Sequence, residues 1–146
     1  MALIRRKGIV RGKSKKRAKR ANKVPSISKL MKECDRLFSL RLRTNNADSE
    51  GICTCYTCGY RAPLKRVQAG HLISRWYKII RWHENNVRVQ CWVCNIYKKG
   101  DSLNFRNRLI DEIGESEVQI LEKKAAQKDF KLTREFLEST LASLTT

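Results

Sequence analysis

Nowhere does the chain approach the run of ~18 apolar residues that a bilayer span requires, and no short apolar segment follows its basic start as in a secretory signal. These absences exclude a membrane-spanning protein and argue against a secreted one. Acidic residues are missing from the first 32 positions, which hold 13 basic side chains. Histidine is scarce, with two in 146 residues, and there is no internal repeat. What is present in excess is positive charge: 32 Lys plus Arg against 14 Asp plus Glu, a formal +18. A hydrophobic fraction of 41% allows a modest core in one domain with a tail.

Like charges at the density of Lys13 to Arg20 repel and cannot be buried, so residues 1–25 are expected to form a flexible basic arm. Its natural partner is a polyanion. Lys15, Lys16, Arg17, Lys19 and Arg20 would neutralise phosphates and release counterions, giving affinity without sequence preference. A solubilising tail or an organelle-targeting segment are the alternatives.

Residues 26–146 are expected to form a single domain. Ile27, Leu30, Met31, Cys34, Leu37, Phe38 and Leu42 recur at spacings of three and four, which predicts a helix capped by Ser26 and ending at Asn45-Asn46. Cys34 lies on that stripe and reads as a core residue. Strand-like fragments follow at 67–69 and 87–90 in a Cys-rich core of about 51–115. The C-terminal helices, within 102–146, comprise one through Leu103, Arg106, Leu109, Ile110 and Ile113, closed by Gly114, then one through Val118, Leu121 and Ala125. A third, from Thr133, buries Phe136, Leu137, Leu141 and Leu144. The expected fold class is α+β.

Four of the six cysteines form two C-x-x-C pairs, Cys55/Cys58 and Cys91/Cys94. Two intervening residues let a tight turn aim both sulfurs at one ion, so the pairs predict a structural Zn²⁺ site of four thiolates. Gly59 suits a turn that needs positive φ. Disulfides or a redox motif are the alternative, disfavoured by the lack of an export signal. Cys53 can stand in for Cys55, but lacks the knuckle spacing.

The string Gln68-Ala69-Gly70-His71-Leu72-Ile73-Ser74-Arg75, followed by Arg81-Trp82-His83-Glu84-Asn85-Asn86 and Gln90-Cys91-Trp92-Val93-Cys94-Asn95, carries a resemblance. It is similar to the HNH, or ββα-metal, nucleases, and over about residues 50–115 it resembles the lambdoid-phage NinG recombination proteins. Phage endonuclease VII, a Holliday-junction resolvase, is a more distant relative. The resemblance implies a zinc-stabilised ββα-metal core of treble-clef type. It makes His71 the general base, Asn86 its orienting partner and Asn95 a ligand of a catalytic Mg²⁺ or Mn²⁺. Arg75 and Lys98 would bind flanking phosphates. One position departs from the nuclease pattern: the metal-binding Asp or His expected before the base is Gly70, as in NinG-like proteins. His83, Glu84 and His71 itself are the candidates for the missing ligand.

The function implied is hydrolysis of phosphodiester bonds in branched DNA, a Holliday junction or D-loop, in the cytoplasm and nucleoid of a phage-infected bacterium, without a small-molecule cofactor. A non-catalytic zinc module that binds nucleic acid is the rival. An assembly protein that pairs through its C-terminal stripe, with itself or another protein, is a third possibility compatible with a homodimer. Among the aromatic residues, Trp82 and Trp92 are expected in the core, while Trp76 and Tyr77 are open to either packing or base stacking.

Overall fold

The computed structural model describes residues 24–145, so the basic positions Lys15, Lys16, Arg17, Lys19 and Arg20 lie outside the described residues. Helix α1 spans Ile27–Asn45, and the Ser26 hydroxyl accepts the Lys29 N–H as its cap. Two antiparallel hairpins follow. The first pairs β1 (Ile52–Thr54) with β2 (Arg61–Pro63), and the second pairs β3 (Val67–His71) with β4 (Val87–Cys91). In the second, Gln68 faces Gln90 and His71 faces Val87 across the ladder. A π-helical turn over Val93–Tyr97 leads to α2 (Ser102–Ile113), α3 (Glu115–Ala125) and α4 (Arg134–Thr145).

The result is an α+β fold whose short sheets are packed between helices. Three apolar clusters hold it. Ile80, from the loop between β3 and β4, packs with Phe105 and Leu109 of α2 and with Val118, Leu121 and Ala125 of α3. Cys53, Ala62, Val67 and Val89 join the two hairpins. Leu30 and Cys34 of α1 bury Leu137 of α4, with Met31, Trp82, Leu132 and Leu141 around them. Cys34 is therefore the core residue its stripe predicts, and its Sγ lies 3.6 Å from the Leu137 carbonyl. The α4 stripe packs on α1 of the same chain: Leu137 is fully buried, and Phe136, Leu141 and Leu144 partly so.

Some expectations are corrected. Trp92 is 55% exposed, because the π-helical turn directs it outward. Leu103 is likewise exposed, and Phe105 takes the buried place on α2. The hairpin of β1 and β2 has strands of three residues, too short for a period-two pattern to be visible. Gly114, at φ 86°, separates α2 from α3 as predicted. Among the described residues no helix is long and apolar enough to cross a membrane.

Candidate functional site

The two hairpins deliver the four cysteines to one point. Cys55 and Cys58 stand in the turn between β1 and β2, where the Gly59 N–H bonds the Cys55 carbonyl and Gly59 takes φ 74°. Cys91 ends β4, and Cys94 lies in the π-helical turn, its N–H 3.5 Å from Cys91 Sγ. All four sulfurs lie within 4.8 Å of one another, and Cys58 and Cys91 are 3.8 Å apart. Tetrahedral Zn–S bonds of about 2.3 Å require sulfurs about 3.8 Å apart, so this donor set can hold a metal ion such as zinc. Cys53 belongs elsewhere: buried in β1, it donates to the Arg43 carbonyl.

The thiols differ in acidity. Burial opposes ionisation of Cys55, but the Thr57 hydroxyl and nearby backbone groups outweigh it and bring the thiol down to about 6. Burial drives Cys94 up to about 12.

A second site opens beside this centre. A cleft of about 910 Å³ lies between α1 and the hairpin of β3 and β4, lined by His71, Gln68, Asn95, Arg75 and Lys99 on one side. Lys32, Asp35, Arg36, Ser39 and Arg43 of α1 line the other. His71 and Asn95, far apart in sequence, therefore face one space. The His71 Nε2–H donates to the Arg81 carbonyl at 3.1 Å, which leaves the lone pair of the neutral ring on Nδ1. Burial lowers the His71 pKa, and the Arg81 and Arg75 charges add to this against the opposing carbonyls of Arg81 and Ala69. Asn95 Nδ2 donates to Gln68 Oε1 at 2.7 Å, so its oxygen is the atom that remains for a cation.

Asn86 is fully buried and acts on the loop that follows His71. Its Oδ1 accepts the Ile73 N–H at 2.8 Å, its Nδ2 donates to the carbonyls of Ile73 and Ile80, and its own carbonyl accepts the Leu72 N–H. It clamps both ends of the 73–80 segment, and the imidazole itself is held by Arg81. His83 and Glu84 do not line the cleft. His83 Nδ1 accepts the Asn85 N–H, and Glu84 borders a separate depression of about 340 Å³ with Arg88 and Glu112. Lys98 pairs with Asp101 at 3.7 Å, and it is Lys99 that lines the cleft.

Gly70 has a packing reason. A Cβ there would overlap Gln90 Oε1 and stand 2.6 Å from Gln90 Cδ. The fully buried Gln90 amide donates to the Gly100 carbonyl at 2.8 Å and to Thr57 Oγ1 at 3.2 Å, joining the knuckle to the segment after the π-helical turn. That segment is strained, with Lys99, Gly100 and Asp101 all at positive φ, where L side chains are disfavoured.

The polar face of α1 and the role of Arg81 were not anticipated from the sequence. A signal was present for the first, since Lys32, Asp35, Arg36, Ser39 and Arg43 repeat at helical spacing opposite the apolar stripe. No curated protein and no solved structure matches the chain. The family model described as Bacteriophage Lambda NinG protein matches residues 2–143, and the chain, with its four-cysteine centre and adjoining basic cleft, belongs to the NinG family.

Proposed function

We propose that the chain is a metal-dependent DNA endonuclease of the ββα-metal type, acting on branched recombination intermediates. The observation that carries this is the shared cleft, in which His71 and Asn95 face Arg75, Lys99 and the basic face of α1. Phosphodiester hydrolysis needs a base for the attacking water and compensation of the charge that develops on phosphorus oxygens and leaving group. His71, lowered in pKa, is neutral at pH 7 and able to accept a proton at Nδ1. Arg75 and Lys99 supply charge to the scissile phosphate and its neighbours. Mg²⁺ or Mn²⁺ would be held partly by the hard amide oxygen of Asn95, with waters completing the shell, and would stabilise the leaving 3′ oxygen.

Labelled Holliday junction, D-loop and linear duplex incubated with Mg²⁺ or Mn²⁺, beside His71→Ala and a chelator control, test this. Cutting of the branched substrates is expected, with loss of about a hundredfold or more in His71→Ala while DNA binding and zinc content are retained. His71→Ala cutting at the wild-type rate would remove the general base. The rival zinc-binding, non-catalytic module is favoured by one observation. Among the described residues the four cysteines form the sole cluster of three or more His, Cys, Asp or Glu side chains close enough for a metal. Binding of all three substrates without cutting would establish that reading.

A further inference from the structure

Arg81 stands in the loop between β3 and β4, is only 6% exposed, and donates from each of its three guanidinium nitrogens. Nε and Nη2 donate to the two oxygens of Asp35 at 2.8 and 2.6 Å, and Nη1 donates to the Arg75 carbonyl at 2.6 Å. Trp82 Nε1 adds a third bond to Asp35, 3.0 Å to Oδ1. Asp35 belongs to α1, 46 positions away, on the face that lines the cleft. The backbone carbonyl of Arg81 meanwhile receives the His71 Nε2–H. One residue therefore grips α1 with its side chain and the imidazole with its main chain.

We propose that Asp35 is a positioning residue for His71: its bidentate pair with Arg81 fixes the carbonyl that orients the imidazole, which makes α1 a working wall of the active site. The inference rests on the reading of His71 as the general base. A two-point guanidinium–carboxylate pair sets direction as well as distance, and it loses its charge assistance when either partner is neutral; here the Arg81 side chain is buried and that of Asp35 half-buried. The carbonyl at Nε2 selects the tautomer whose lone pair lies on Nδ1. Asn86, with its own bonds to Ile73 and Ile80, holds the loop ends independently of Asp35. Loss of the Asp35 charge should accordingly free the residue 81 carbonyl without unfolding the loop.

The test compares full-length wild type, Asp35→Asn, Asp35→Glu, Arg81→Lys and His71→Ala under single-turnover conditions at saturating branched DNA with Mg²⁺, and records imidazole ¹⁵N spectra of the folded proteins. Asp35→Asn is expected to cut about tenfold or more slowly at unchanged DNA affinity and zinc content, with the His71 proton no longer confined to Nε2. Asp35→Glu, which keeps the carboxylate, should recover most of the rate. Wild-type cutting and an unchanged ¹⁵N pattern in Asp35→Asn, while His71→Ala is inactive, overturn the proposal. If His71→Ala cuts like wild type, the general-base reading fails instead, and the ¹⁵N spectra alone decide whether Asp35 positions the ring. Should Asp35→Asn lose zinc or helix content, Arg81→Lys, which keeps the charge but loses the two-point geometry, decides by the same rate and spectra. Unfolding of both variants would make the pair a purely structural tie and also overturn the proposal.

Discussion

His71 and Gly70 are adjacent, yet their side-chain environments make different demands. Burial and two nearby guanidinium charges hold the His71 pKa below its ordinary 6.5. A general base, the role proposed for His71, must be unprotonated, so the rate of the proposed cleavage should be full at neutral pH and fall only as pH drops through that lowered value. The pH profile of cleavage should therefore have its acid limb below 6.5, and a limb above 7 would point to another group. Gly70 is required by Gln90, whose amide fills the space a Cβ would take. Gly70→Ala should destabilise the protein by about 1–3 kcal/mol through overpacking. In chemical denaturation, Gly70→Ala/Gln90→Ala should cost less than the two single variants together, because removal of either side chain relieves the same overlap. Strict additivity would show that Gln90 is not the obstacle. Set against the nuclease resemblance, the glycine stood in the place of a metal ligand. Its packing reason depends on cross-strand proximity to Gln90, which stands on β4 rather than nearby in the chain.

The four-cysteine cluster, a candidate metal centre, belongs to the scale of elements, since each hairpin supplies part of it. Cys55 and Cys58 come from the turn of the first hairpin, while Cys91 ends β4 of the second and Cys94 follows it. The Tyr56 N–H to Val89 carbonyl bond, 2.7 Å, and the Gln90 to Thr57 bond tie the two together without metal. Cys91→Ala should reduce bound zinc from one ion per chain to none and lower the melting temperature, because binding to the folded state alone is coupled to stability. Full zinc occupancy in that variant, measured by metal analysis, would mean that Cys91 is not a ligand. The two C-x-x-C pairs announced this centre from spacing alone, because a knuckle is a local device. Ser26, Gly59 and Gly114 were legible for the same reason. The β1 and β2 strands were not, since three residues give no period to read.

Across the whole molecule the charge divides unevenly. Residues 1–23 carry 11 of the 18 net positive charges, while the cleft adds Lys32, Arg36, Arg43, Arg75 and Lys99. Deletion of residues 1–23 should weaken DNA binding and reduce the slope of log affinity against log salt, by up to about one unit for each phosphate that the arm neutralises. Cleavage at saturating DNA should persist, because the deleted segment includes none of the cleft residues. An unchanged affinity and salt slope would make the arm irrelevant to binding.

Uneven charge, the apolar stripes of the four helices, the four-thiol donor set and the NinG resemblance, which the family model matches, could all be read along the chain. These are local properties, set by composition, by helical period or by turns of a few residues. The tertiary structure decided which of them meet. It laid the polar face of α1 against His71, separated His83 and Glu84 from the cleft, turned Trp92 outward, and joined Asp35 to Arg81. Such pairings depend on how hairpins and helices pack in three dimensions, and an ion pair formed 46 positions apart leaves no periodic trace in the chain.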